Sequence, residues 1–151
     1  MLKLRPHHIL DIIRNIGNGS DISPHEYGHL LHSVTESLIY DIDQECQLVV
    51  ENDDICGPCI HLDENNKCDD ILNQTDEKLL KQEYNDQLDT KILSYLEISP
   101  MSVIKISEFL KIVSSDLESI VKICTHPKED MESRRSGLKN GVKLLGIEIL
   151  P

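Results

Sequence analysis

The chain has no tryptophan, one phenylalanine and only four tyrosines in 151 residues. Its core must therefore be mostly leucine, isoleucine and valine, and it has no basic patch interleaved with aromatics of the kind that binds nucleic acid. Positive charge is scarce: 15 Lys and Arg face 27 Asp and Glu, a formal net charge of −12. That balance argues against a nucleic-acid backbone or an anionic membrane surface as partner and fits docking on a basic or redox protein. There is no apolar run of about twenty residues, so no membrane-spanning helix is expected. His7, His8, Asp11 and Arg14 interrupt the only N-terminal stretch that resembles a secretory signal. The expected location is the cytoplasm, where five cysteines, an odd number, stay reduced. The chain also lacks a P-loop, a dinucleotide fingerprint and a Ser-His-Asp order. With no repeat, low-complexity tract or linker, it reads as one domain over residues 1–151.

What the chain does have is a cysteine loop at residues 53–69. Cys56, Cys59 and Cys68 follow C-x2-C-x8-C spacing. Gly57-Pro58 forms a tight turn that can aim two sulfurs at one centre. The polar run Asp63-Glu64-Asn65-Asn66-Lys67 lets the chain fold back and deliver the third. Grouped thiolates suit zinc or an iron–sulfur cluster. The plainer alternative, three small buried hydrophobes, sits poorly with a polar Gly-Pro loop. A fourth ligand is expected from Cys124, placed at a helix junction by Thr125-His126-Pro127, although Cys124 also completes an apolar helical stripe. Cys46, alone on a strand, reads as packing.

The rest of the chain reads as mainly helical, α+β, with two or three short strands. Pro6 opens a helix that buries Ile9, Ile12, Ile13 and Ile16 and ends at Gly17-Asn18-Gly19. Ser23 and Glu26 form a capping box, with Pro24 at the first position of a second helix. Its apolar face carries Leu30, Leu31, Val34 and Leu38; His25, His29 and His32 share another face. Cys46–Val50 reads as a strand and Asp76–Leu96 as a long helix, followed by a strand near Met101–Ile106. Ser107 and Ser115 read as caps of two further helices, and Pro127 as the start of the last.

Three other clusters carry possible chemistry. His7, His8 and Asp11 lie at i, i+1 and i+4 near a helix start. They can serve as ligands or as acid–base groups, or simply satisfy one another. His25-Glu26-Tyr27-Gly28-His29 matches H-E-x-x-H, with His32 as a possible third ligand. Glu26 has a simpler role in the capping box, however, and Gly28 weakens the helix that such a zinc site needs. His126 to Arg135 is dense in charge and reads as solvated surface. Finally, Cys56-Gly57-Pro58-Cys59 spells a dithiol-oxidoreductase motif, but a polar turn follows it rather than the helix that would activate a thiol.

Taken together, Arg5-x-His7-His8-Ile9-Leu10, Gly17-x-Gly19, Asp53-Asp54-Ile55-Cys56-x-x-Cys59 and Cys68 resemble an uncharacterised family of bacterial and archaeal proteins of this size, catalogued as a domain of unknown function. The likeness extends more loosely through Ser107 to Cys124. It implies an iron–sulfur centre, with a four-iron cluster favoured over zinc; spacing alone separates neither. Members of that family usually carry a cysteine where this chain has Asp11, and further cysteines beyond the position of Cys124. The resemblance thus implies either a cluster on Cys56, Cys59, Cys68 and one more ligand, Cys124 or Asp11, or a site shifted toward zinc. The leading expectation is a small metal-binding protein. Next comes a metal-dependent enzyme with an open position near His7, His8 and Asp11, and then a dithiol oxidoreductase.

Overall fold

The structure is a computed structural model, and it describes residues 1–72, 79–124 and 128–147. Strand β1 (Leu2–Leu4) runs into helix α1 (Pro6–Gly17), and helix α2 (Leu31–Tyr40) returns the chain to strand β2 (Glu45–Leu48). β1 and β2 pair in parallel, with Leu2 opposite Cys46 and Leu4 opposite Leu48. A parallel pair needs a long crossover, and the two helices provide it. A single 3-10 turn (Asp54–Cys56) opens the cysteine loop. The short hairpin of β3 (Ile71–Leu72) and β4 (Leu79–Leu80) leads into the long helix α3 (Lys81–Leu96). Strand β5 (Val103–Lys105) adds antiparallel to the other edge of β2. Helices α4 (Ile106–Ser114), α5 (Leu117–Ile123) and α6 (Met131–Leu144) complete the chain. The architecture is α+β and mainly helical. Among the described residues no helix is long and apolar enough to cross a membrane.

The core is aliphatic, as the shortage of aromatics requires. Ile9, Ile12 and Ile13 of α1 are fully buried, together with Leu38, Leu48, Ile92, Leu110 and Ile120; Phe109 is the one large aromatic among them. Cys46 belongs to this core and is fully buried on β2. The tightest packing lies between α1 and α6, which meet through glycines. A methyl group on Gly17 would fall 1.8 Å from the carbonyl oxygen of Gly137, and one on Gly141 would fall 2.1 Å from that of Ile13. Gly17 therefore closes α1 and also allows close backbone approach.

Several sequence expectations are corrected here. The second helix starts at Leu31, not at Ser23-Pro24. Gly28 takes φ +76°, in the left-handed region, and the backbone before α2 bonds elsewhere. The Ile60 N–H donates to the Tyr27 carbonyl at 2.8 Å and the Leu30 N–H to that of Ile55 at 3.0 Å. Tertiary hydrogen bonds to the cysteine loop thus displace the local capping box. His25 and His29 consequently sit on a loop, and only His32 is on α2. Ser107 lies inside α4, buried, rather than capping it, and Asp116 rather than Ser115 stands at the N-cap of α5. α6 begins at Met131, where the Asp130 side chain accepts from the Glu132 N–H. Asp76 and Pro127 themselves fall outside the described residues, but α3 begins only at Lys81, because Leu79–Leu80, expected to be helical, pair as strand β4 with Ile71–Leu72.

Candidate metal centre

The site forms where β1 and β2, running parallel, leave the sheet side by side. β1 continues into Arg5-Pro6-His7-His8, and β2 continues to Asn52-Asp53-Asp54 and the cysteine loop. The two acids join these segments. Asp54 accepts from the Lys3 N–H and Asp53 from the Arg5 N–H, each at 2.7 Å. Alternate residues of a strand present their N–H groups to one side, so two successive carboxylates satisfy the free edge of β1. Asp53 does more. It also accepts from the Ile55 N–H at 3.1 Å, from Nδ1 of His8 at 2.7 Å and from the Cys56 thiol at 3.5 Å.

Arg5 is the other organiser, with only 1 % of its surface exposed. Its guanidinium donates to the Val50 carbonyl, to Asn52 Oδ1, to Asp86 Oδ1 at 2.6 Å and to Asp89 Oδ2 at 2.9 Å. Asp89, fully buried on α3, also accepts from the His7 N–H and faces His7 Nδ1 at 2.9 Å. Gln82, one turn before Asp86, accepts from the Cys68 N–H at 2.7 Å and from Asn52. The first turn of α1, the β2 extension and α3 are thereby bound together beneath the cysteines.

One cavity of about 410 Å³ opens over this platform. Cys56, Cys59, Cys68 and Cys124 line it, as do His7, His8 and Asp11. His25, Tyr27, His29 and His61 form part of its wall. There the His25 and His29 rings stack at 4.5 Å and the Tyr27 and His61 rings meet edge-on at 4.4 Å. The H-E-x-x-H segment therefore borders the cavity as a loop, without the helical spacing that the zinc-protease motif requires. Three of the histidines share one arrangement: His7, His8 and His61 each hold Nδ1 against a carboxylate, those of Asp89, Asp53 and Asp69 respectively. Among the described residues, His8, Asp53 and Cys56 are the trio whose ligand atoms lie within 4.8 Å of one another.

Electrostatics separate these groups. Burial opposes ionisation of Asp53, but His8 and its other donors prevail and hold it down at about 2. Burial likewise opposes a charge on His8, and Asp53 overcomes it, so its pKa is raised. The Cys56 thiol is pushed up to about 12 by burial and then by Asp53. Burial also raises Cys68 and, more strongly, Cys124. Asp11 is half-buried; desolvation opposes its charge, yet Arg134 and Arg14 keep its carboxyl below the usual range. Arg134 is not the solvated charge expected from the sequence. Only 5 % exposed, it donates to Asp11 at 3.0 Å, to Glu129 at 2.6 Å and to Cys124 Sγ at 3.6 Å.

Residues 25–128, more than half of the chain, match a family model described as a protein of unknown function, DUF1284. The chain belongs to the DUF1284 family. No curated protein and no solved structure gives a match. The DUF1284 match takes in all four cavity cysteines, whereas His7, His8 and Asp11 precede it. In this DUF1284 protein, sequence reasoning singled out the cysteines and the histidine pair but missed Arg134, Gln82, Asp86 and Asp89. A signal for the last three was present: they recur at i, i+4 and i+7 on α3, beside the apolar repeat.

The Asp53 brace has a measurable consequence. Its folded pKa of about 2 lies below the value of about 3.9 for an unfolded chain. The stability it contributes is therefore complete above pH ~4 and is lost as the pH falls through about 2. Asp53→Asn is expected to cost about 2 kcal/mol in urea denaturation at neutral pH and to flatten the acid branch of the stability profile. An unchanged acid branch would show that another carboxylate carries it.

Proposed function

We propose that this DUF1284 protein holds an iron–sulfur cluster in the cavity through Cys56, Cys59 and Cys68. One observation carries the reading: the three cysteines of the C-x2-C-x8-C loop border a single cavity. The residues fit such a group. The loop is anchored at both ends, by Asp53 at Ile55 and by Gln82 at Cys68. Zinc binds sulfur at about 2.3 Å, which brings thiolates to within ~4 Å of one another. Among the described residues no three cysteine sulfurs lie within 4.8 Å. A four-iron cluster would place each thiolate on a different iron and accept a wider spacing. When bound, it supplies electron transfer or, at an iron left open, a Lewis acid.

The histidines favour a second reading on the same site, a metal-dependent enzyme. His7 and His8 line the cavity with Nδ1 fixed by carboxylates. Their Nε2 atoms are left to face a ligand or exchange a proton. Dithiol exchange is disfavoured, because it needs a thiol of lowered pKa and Cys56 is shifted the other way.

The test is anaerobic purification with analysis for iron, zinc and sulfide. Iron and sulfide together, with the broad visible absorption of a thiolate-bound cluster, are expected, and Cys56→Ser should abolish both. Ligating thiols must lose their protons, so cluster assembly should become faster as pH rises. Protein that takes up neither iron nor sulfide, even on reconstitution, overturns the reading. A single bound zinc would replace it with a structural zinc site.

A further inference from the structure

We infer that His8, rather than Cys124 or Asp11, supplies the fourth protein ligand of the centre. This rests on the cysteine-bound cluster proposed above and assigns the coordination position that the three loop thiolates leave open.

The argument is one of availability among the polar groups facing the cavity. Cys124 ends α5 at the close of its buried apolar face, with Leu117, Ile120 and Val121, and is 4 % exposed. Its sulfur lies against Arg134 Nη1. The Asp11 carboxylate is occupied as well, with Arg134 Nη2 at 3.0 Å and Arg14 Nη1 at 3.6 Å from the same oxygen. Asp53 is near enough to take part but is committed elsewhere: the Arg5 and Ile55 N–H groups and His8 Nδ1 donate to it, and these three bonds remain when Cys56 gives up its proton to a metal.

His7 and His61 share the carboxylate-held Nδ1 of His8, but among the described residues only His8 falls with a cysteine in a trio of metal-binding size. The His8 ring lines the cavity, and a ligand atom of its side chain lies within 4.8 Å of Cys56 Sγ. Donation from Nδ1 to Asp53 at 2.7 Å fixes the ring and leaves the lone pair on Nε2. Among the described residues Nε2 has no hydrogen-bond partner. A histidine that ligates a metal almost always carries a carboxylate or carbonyl on its other nitrogen, which sets both tautomer and orientation. Here the buried carboxylate that orients His8 also holds the loop of Cys56, so one group registers both ligands. Imidazole in place of one thiolate removes a negative charge from the centre and raises its reduction potential.

The experiment uses the full chain, loaded anaerobically with iron and sulfide and then reduced, as wild type, His8→Gln, His8→Cys and Cys124→Ala. Pulsed electron paramagnetic resonance on protein with ¹⁴N- or ¹⁵N-labelled histidine reads nitrogen coupled to the centre. Wild type is expected to show a strong histidine-nitrogen coupling that changes with the label, and Cys124→Ala to keep both that coupling and its full iron content. His8→Gln should lose the coupling. His8→Cys should lose it while retaining iron, which separates loss of a ligand from loss of the fold. Wild type with iron and sulfide but no histidine coupling overturns the inference and leaves the cluster standing, as does loss of iron in Cys124→Ala alone. Wild type without iron and sulfide overturns the cluster reading, and this assignment with it.

Discussion

Gly141→Ala is expected to destabilise the protein by about 3 kcal/mol or more, because the added methyl group meets backbone rather than a movable side chain. It would lie 2.1 Å from the Ile13 carbonyl oxygen and 2.7 Å from the Ile13 side chain. Gly17→Ala meets the same obstacle from the other helix, 1.8 Å from the Gly137 oxygen and 2.6 Å from the Gly141 nitrogen. The only relief is to separate α1 from α6, which opens the largest contact in the core. For a chain of this size the loss corresponds to a fall in Tm of roughly 10 °C, measured by thermal and urea denaturation. Gly19 is the control. Unlike Gly17 and Gly141 it has a positive φ, +67°, and nothing lies within 4 Å of its added methyl group, so Gly19→Ala should cost only about 1 kcal/mol. A loss at Gly141 no larger than at Gly19 would show that the close approach of α1 and α6 is not what that glycine serves. If the proposed cluster is bound, Gly141→Ala should also weaken iron retention, because α1 carries His7 and His8.

Arg5→Leu should be as damaging, at about 3–5 kcal/mol, since it strands a buried charge. The guanidinium fills four acceptors on two segments, and its removal leaves Asp89, at 0 % exposure, with only the His7 contacts. Lysine should rescue little, because one ammonium cannot reproduce a planar fork that reaches Asp86 and Asp89 together. Asp89→Leu alone strands Arg5 instead. The double variant Arg5→Leu/Asp89→Leu should therefore lose less than the sum of the single losses, with a coupling of about 1–3 kcal/mol in a double-mutant cycle. Strict additivity would mean that the two residues contribute independently and that the platform under the cysteines is not one network.

The sequence was a good guide where local periodicity and core burial agree. The α1 stripe of Ile9, Ile12 and Ile13, the β2 strand and the long helix containing Ile92 all follow from spacing that buries one face. It was a poor guide at Ser23-Pro24-His25-Glu26. A capping box gains about 1 kcal/mol locally, but two backbone hydrogen bonds to the cysteine loop compete with it and win. The sequence also marked Gly17 only as a helix end, and nothing in it singled out Gly137 or Gly141. Their pairing across two helices, more than a hundred residues apart in the chain, has no local signature.

The candidate site divides along the same line. The sequence by itself determined which groups are chemically suited to a metal, the loop cysteines and the His7-His8 pair, because side-chain chemistry and turn residues are local properties. Only the tertiary structure decided which of them are available. It placed Cys124 and Asp11 against Arg134, bound His7 to Asp89 and His8 to Asp53, and left one side of each histidine ring toward the cavity. Availability depends on which hydrogen-bonding and charged partners arrive from distant elements, and buried polar groups take whatever partners folding brings within reach.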